Sequence, residues 1–321
     1  MGRKVIIRGI IMARTLFTAA GGTFRGNLHG HSTHSDGSST SAEAVRLYKD
    51  AGYEFTCLSD HLWTDRRYAS ETMNDATALD QDDFITVISA ELHCLGKAYD
   101  QDGVWHIVAN GLPADFRVAS NTETGPDLVR RAVDAGAYVT IAHPEWYSMT
   151  TEEAVSLAEA GAHGVEVYNH SCFVGSARSS GIATVDQLLN DGYRMSLTAT
   201  DDSHQIPHDA FGGWVEVAAA SLTSDAIVAA LKAGDFYAST GPDFLSIILD
   251  DDQLHITTTP VSQIILSAKG HLALSAAGDG MTEANFDLGN LDTDFFRLTI
   301  TDANRQTAWS NAYWLEDWKQ Q

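Results

Sequence analysis

The sequence predicts a mainly parallel α/β domain followed by a small antiparallel β domain, on three observations. Short β-type runs alternate with amphipathic helical stretches through the first three quarters of the chain. Between them helices run into glycine at Ala51-Gly52, Ala135-Gly136, Ala160-Gly161, Asp191-Gly192 and Ala233-Gly234, where a left-handed residue ends a helix. Beyond Gly241-Pro242 helical periodicity gives way to two-residue alternation. With 321 residues, 44% of them hydrophobic, the chain can bury one large core and a smaller one. The bounds expected are an N-terminal extension over 1–22, the α/β domain over 23–242 and the β domain over 243–321.

Taken in order, strands are expected at Phe24 to Leu28, Phe55 to Leu58, Ile85 to Ser89, Trp105 to Asn110, Tyr138 to Ile141, Gly164 to Tyr168, Arg194 to Ala199 and Gly213 to Val217. Thr40-Ser41-Ala42-Glu43 reads as a capping box, its hydroxyl and carboxylate satisfying backbone N–H groups at the start of a helix that ends at Gly52. In the tail, β-type runs cover Phe244 to Leu249, Leu254 to Thr258, Gln263 to Ser267 and Phe296 to Ile300. Turn-forming Asp250-Asp251-Asp252 and Asp302-Ala303-Asn304 punctuate them.

Composition narrows the partners. Twenty basic against 43 acidic side chains give a net charge of −23, which disfavours nucleic-acid polymers and anionic membranes, since Lys and Arg supply most affinity for polyanions. Cys57, Cys94 and Cys172 are odd in number and lack CxxC spacing, so neither a disulfide framework nor a thiolate zinc site is signalled. Arg8 and Arg14 interrupt the apolar start, and no run reaches the roughly 20 residues that span a bilayer. A cytoplasmic protein acting on a small molecule is expected.

Histidine and acidic residues cluster where predicted strands end: His29-Gly30-His31, Asp60-His61, Glu91-Leu92-His93, His143-Pro144 and Asp201-Asp202-Ser203-His204. In parallel α/β folds the carboxyl ends of the strands converge on one face, so these groups would meet in one cleft. His-x-His on an extended segment turns both imidazoles to the same side, and Asp202-x-His204 does the same with a carboxylate and an imidazole. Mixed N/O donors suit Zn²⁺, Mn²⁺ or Fe²⁺.

The ordered set Leu28-His-Gly-His-Ser-Thr-His-Ser-Asp36-Gly37, Leu58-Ser-Asp-His61, Glu91, Trp105-His-Ile-Val108, Ile141-Ala-His-Pro144 and Asp202-Ser-His204 resembles the PHP (polymerase and histidinol phosphatase) superfamily over about Gly26 to Pro242. Within it the chain is similar to the metal-dependent phosphoesterases. The segment Ala230 to Pro242 and a β-rich tail ending in Trp309 and Asn311 resemble the CehA/McbA branch. The resemblance implies a distorted, seven-stranded β/α barrel with metal ions at the C-terminal strand ends. It implies His29, His31 and Asp202 on a first ion, Glu91 bridging to a second with His106 and His143, and Asp36, His61 and His204 on a third. His34 competes with Asp36, Asp201 with Asp202, and His93 with His106 across the inserted stretch Cys94 to Gly103.

Nine ligands are too many for one ion, so two or three divalent ions (Zn, Mn or Fe) are implied. Ions about 3.5–4 Å apart share a hydroxide and clamp both oxygens of a displacement, which makes hydrolysis the expected reaction. The groups expected to serve catalysis directly are His29, His31, Glu91, Asp202 and His204, with His204 or His61 also a candidate to protonate the leaving group. Asp60 is expected to orient an imidazole, or else to be a turn carboxylate. Arg178, His170 and Tyr168 are candidates for substrate contact; Arg66, Arg67 and Lys97 are further cations near the same face, and Trp63, Trp105 and Trp146 are aromatic walls or core. The leading expectation is a phosphoesterase acting on a small phosphate ester, followed by a carbamate, ester or amide hydrolase, then a non-catalytic scaffold. Bound cations would offset the acidity locally, so the net charge does not exclude small phosphates.

Overall fold

A computed structural model of the chain describes residues 13–97 and 103–319. Its first half comprises β1 Arg14–Thr18, β2 Phe24–Asn27, α1 Ser41–Asp50, β3 Phe55–Thr56, β4 His61–Leu62, β5 Ile85–Thr86, β6 Ser89–Leu92 and β7 Ile107–Asn110. There follow α2 Gly125–Asp134, β8 Tyr138–Ile141, α3 Thr151–Glu159, β9 Gly164–Asn169, α4 His170–Ser176, α5 Ile182–Asn190, β10 Ser196–Thr200, β11 Trp214–Val217, α6 Ser224–Ala233 and β12 Phe236–Ser239. The chain ends in β13 Phe244–Asp250, β14 Gln253–Ala268, β15 Ala273–Asp287, β16 Phe295–Thr301, β17 Thr307–Ser310, β18 Tyr313–Trp314 and the single turn α7 Glu316–Lys319.

The expected capping box at Thr40 and Glu43 is present, and Thr124/Asp127 and Thr150/Glu153 open α2 and α3 in the same way. Each satisfies two backbone N–H groups that a helix start leaves without partners. Helix α2 then buries Leu128, Val129 and Ala132 in a core shared with Leu157 of α3, Leu188 of α5 and Ile107, Val139, Val165 and Leu197 of the strands.

The strands fall into two sheets. One has six strands in the order β10-β9-β8-β7-β6-β4; the other runs β1-β13-β14-β16-β17-β12-β11-β2-β3-β5, with β15 on β14 and β18 on β16. The pairings are thus divided between two sheets rather than drawn as the single seven-stranded ring that the resemblance implied. The reason is local: the extended segments 55–62 and 85–92 each pair first in one sheet and then, after a bend, in the other. Leu62, Leu92 and their neighbours keep a continuous ladder across the bend, with Cys57 donating to the Asn27 carbonyl, Val87 to that of Thr56 and Glu91 to that of Ser59. A parallel bridge between Gly30 and Ser203 links the ends of β2 and β10.

The expectation of parallel strands also fails at β7, which is antiparallel to β6 and β8. Among the described residues no helix lies between β6 and β7, and Leu95 bridges Val104 in antiparallel sense; a return without a crossover gives antiparallel pairing.

The C-terminal strands are antiparallel, as expected. The runs expected at Leu254 and Gln263 are one long strand, β14, with register shifts between Thr257 and Gln263. Its first half pairs with β13, its second with β16, and β15 follows both halves. Phe244, Ile256, Ile264, Leu266, Phe286, Phe296 and Leu298 fill the core between. Strand β17 pairs with β12, so these strands continue the sheet of β11, β2 and β3. Of the expected extension 1–22, residues 1–12 lie outside the described residues, while Arg14–Thr18 pairs with β13. No helix among the described residues is long and apolar enough to cross a membrane.

Candidate metal centre

The strand ends deliver the histidines and carboxylates to one place. Four sets of side chains bring one donor atom each within 4.8 Å of one another: His29, His31, Glu91 and Asp202; Glu91, His106 and His143; His31, Asp36, His61 and His204; and His61, Glu91 and His93. The first three contain, between them, all nine residues named from the sequence. Glu91 sits in the middle, with one carboxylate oxygen 2.7 Å from His106 Nδ1 and 3.3 Å from His143 Nε2. Its other oxygen lies 2.7 Å from His61 Nδ1, 3.5 Å from His29 Nε2 and 3.6 Å from His31 Nε2.

Beyond β2 the extended backbone brings the Nε2 atoms of His29 and His31 onto the same oxygen of Asp202, at 3.2 and 2.9 Å. That is the same-side geometry expected of His-x-His. Asp36 stands at the rim, 3.4 Å from His61 Nε2 and 3.6 Å from His204 Nε2. His34 instead hydrogen-bonds the Thr72 carbonyl. Asp201 turns away from the cluster and accepts the N–H groups of Phe211, Gly212 and Gly213 and the hydroxyl of Tyr48. His93 also reaches the cluster: its Nδ1 donates to the Trp105 carbonyl at 2.9 Å, leaving Nε2 2.8 Å from His61 Nδ1.

Two of these residues have backbones that L-residues rarely adopt, His143 at φ 21° and Asp202 at φ 55°. Such strain costs about 1–3 kcal/mol and persists only where surroundings enforce it. Here the His143 N–H donates to Glu166 at 2.8 Å and the Asp202 N–H to the His29 carbonyl at 2.8 Å.

Glu166 is the residue whose part sequence reasoning missed. Fully buried on β9, it accepts from His29 Nδ1 at 2.7 Å, from Thr200 at 2.8 Å and from Asn169 at 3.0 Å. The bond to His29 holds the proton on Nδ1 and turns the lone pair of Nε2 toward Glu91 and Asp202. Asn169 also donates to Asp202 at 3.1 Å. A carboxylate between Val165 and Val167, inside a buried strand, was the available signal.

Charge accounts for the titration of the cluster. Burial would raise the Glu91 carboxyl, but His61, His106 and His29 beside it bring it well below the usual range. Burial likewise opposes a charged His61, yet Glu91 and Asp36 raise it to about 10. His31, buried and next to His204 and His61, falls to about 4. Protons are thus drawn into a space crowded with carboxylates. Divalent cations fit there as well: the donors are the N/O set that such ions take, and the buried atoms His29 Nε2 and Glu91 Oε2 have no partner in hydrogen-bond geometry.

A cavity of about 420 Å³ opens onto the cluster, lined by Asp36, Glu91, His143, Tyr68, Trp146 and α4 residues including Cys172 and Gly175. The other expected residues are placed differently. Asp60 accepts from Ser32, Ser35 and Asn74 rather than from an imidazole, and so fixes the loop that carries His31 and Asp36. Tyr168 and His170 bond each other at 2.9 Å outside this cavity, and Arg178 is exposed and does not line it. Arg66 pairs with Glu71, Arg67 with Asp65, and buried Lys97 with Glu153 at 2.9 Å. Trp105 is core, packed on Gly125.

The architecture is similar to that of a solved PHP-like protein. The chain is similar to a two-domain protein containing a predicted PHP-like metal-dependent phosphoesterase from Bacteroides vulgatus, with TM-score 0.53 and 15% identity over 95% of this chain and 99% of that one. An amidohydrolase from Chromobacterium violaceum aligns with TM-score 0.42 and 16% identity over 58% of this chain and 89% of that one. No protein-family model and no curated protein sequence matches the chain.

Proposed function

We propose that the chain is a metal-dependent hydrolase, and a phosphoesterase acting on a small phosphate ester in the first instance. The observation that supports this reading most is the convergence of nine donor side chains, from six separate stretches of chain, around the buried Glu91. His29, His31 and Asp202 would hold one ion, His106 and His143 a second with Glu91 between them, and Asp36, His61 and His204 a third at the rim. Such ions supply Lewis acidity toward the ester and a nucleophile from water near neutral pH. The protein's own part is to fix the donors: Glu166 sets the His29 tautomer, Asn169 steadies Asp202, and Asp60 anchors the rim loop. Asp36 and His204 are both partly exposed to the cavity, so incoming substrate meets them first.

A second reading, hydrolysis of a carbamate, carboxylic ester or amide, is favoured by one observation. Among the described residues lining the cavity there is no Lys or Arg, and phosphate recognition ordinarily draws on such cations. Metal analysis of the purified protein, followed by parallel assays of manganese- or zinc-loaded protein on p-nitrophenyl phosphate, bis(p-nitrophenyl) phosphate and p-nitrophenyl acetate, separates the two. Turnover of the phosphates supports the first reading, and turnover confined to the acetate replaces it with the second. His29→Ala is expected to lower the rate by orders of magnitude, as removal of a ligand disrupts the centre; an undiminished rate would remove the site assignment.

A further inference from the structure

One histidine of the cluster has no part in the three sets of donors assigned to ions. In the sequence His93 competes with His106 for the second ion; in the structure His106 is grouped with Glu91 and His143, and His93 lies with His61 and Glu91 instead. It follows Glu91 by two residues at the end of β6, where an extended backbone turns both side chains to the same side. Its ring is fully buried, in edge-on contact with that of His106 at 4.6 Å and that of Tyr68 at 6.3 Å. A buried polar ring keeps its place at little cost only when its nitrogens have partners.

Both nitrogens of His93 have one. Nδ1 lies 2.9 Å from the Trp105 carbonyl. A carbonyl can only accept, so Nδ1 carries the proton of the neutral ring and Nε2 carries the lone pair. That carbonyl is itself held, because the Trp105 N–H donates to the Cys94 carbonyl at 2.8 Å. Nε2 of His93 stands 2.8 Å from Nδ1 of His61, within reach of a proton on that nitrogen. With its proton on Nδ1, His61 has its lone pair on Nε2, which lies 3.4 Å from Asp36 at the rim. Glu91 Oε2 is also 2.7 Å from His61 Nδ1. Glu91, however, belongs to two of the sets assigned to ions, so a cation drawn to it competes with a bond from His61, and the lone pair of His93 meets no such competition.

Resting on the reading in which Asp36, His61 and His204 hold a third ion, we propose that His93 is a positioning residue for that ion: anchored on the Trp105 carbonyl, it accepts from His61 and so fixes the tautomer and direction of the His61 ring, with Nε2 facing the cation. An outer partner of this kind tunes a metal ligand without touching the metal. His93 does for His61 what Glu166 does for His29, but as a neutral group it adds no charge to a space already crowded with carboxylates.

The test counts manganese ions. Chelator-treated protein is titrated with Mn²⁺ and the free ion is followed by electron paramagnetic resonance. His61→Ala first marks the class of ion that depends on the rim donors. His93→Asn keeps an amide N–H for the Trp105 carbonyl but reaches no farther, and that same class should bind about 10–100-fold more weakly with the others unchanged. His93→Gln puts an amide oxygen close to the place of Nε2 and should keep most of the affinity. In the His61→Ala background His93→Asn should add no further loss, since residues that act through one another are not additive. Circular dichroism checks the fold of each variant. Full affinity in His93→Asn, equal losses in the Asn and Gln variants, or an additive loss in the double variant, which would make His93 a ligand in its own right, would overturn the proposal. If His61→Ala loses no ion, the three-ion reading fails and the proposal with it; loss in His61→Ala without loss in His93→Asn counts against the proposal alone.

Discussion

Glu166 and His29 show at single-residue scale how the centre is set. The 2.7 Å bond between them keeps His29 Nε2 an acceptor, a condition for holding a cation. Glu166→Gln leaves a side chain of the same shape that can present its amide N–H instead of an oxygen, allowing the ring to change tautomer. Loss of such an outer partner typically weakens metal affinity about 10–100-fold. Chelator competition followed by elemental analysis should show that loss, with the far-ultraviolet circular dichroism unchanged; equal retention of metal in the variant would mean that the ring is oriented by packing alone. That the His and acidic residues gather in one place was legible because such side chains are rare at strand ends and their spacing is regular. Glu166 was not, because its role depends on Val165 to Tyr168 running beside Ser196 to Thr200, a pairing between distant segments.

At the scale of elements, helix α2 tests the capping argument. Thr124→Ala removes the hydroxyl that accepts from Asp127 N and should cost about 1 kcal/mol in urea unfolding. His163, at the entry to β9, gives a pH dependence. Its Nδ1 accepts from the Val139 N–H at 3.1 Å, and burial together with Lys232 lowers its pKa from 6.5 to about 4. In the unfolded chain the imidazole binds a proton below about 6.5 and in the fold only below about 4, so the neutral ring stabilises the protein fully above the upper value. That contribution is lost as pH falls through this window. It amounts to on the order of 1 kcal/mol between pH 7 and pH 5 at a partly solvated site. The fall in urea midpoint between the two pH values should be smaller for His163→Asn than for the unaltered protein; identical losses in both would exclude this ring as a source. The helices were readable from caps and glycines, and most strands from apolar runs. Strand β15 was not, since Ala276-Ala277-Gly278-Asp279-Gly280 carries neither alternation nor β-branched residues, and it is held by its partner β14.

For the whole molecule, the continuity of β11, β12, β17 and β16 in one sheet couples the two ends of the chain. Arg297 on β16 adds a bidentate pair with Asp186 of α5, both bonds 2.8 Å, and Asn311 bonds Leu197 of β10 and the carbonyls of Gly234 and Phe236. Thermal unfolding should therefore be one cooperative transition, and a chain ending at Pro242, stripped of the partner of β12, should fail to reach a stable fold. Two separate calorimetric transitions, or a well-folded truncation, would show that the tail is independent. The turn in texture after Gly241-Pro242 was plain in the sequence. That the tail shares a sheet with the α/β part was not, because antiparallel pairing between β12 and β17 leaves no local trace.

Convergence on Glu91 also bears on synthesis. The donors enter from His29 through His204, so the first and the last of them are joined only after more than half of the chain has been made. High sequence separation of this kind slows folding. A nascent chain would hold its early histidines unassembled until Asp202 arrives, and saturable uptake of cation would then report that the last of these segments has docked.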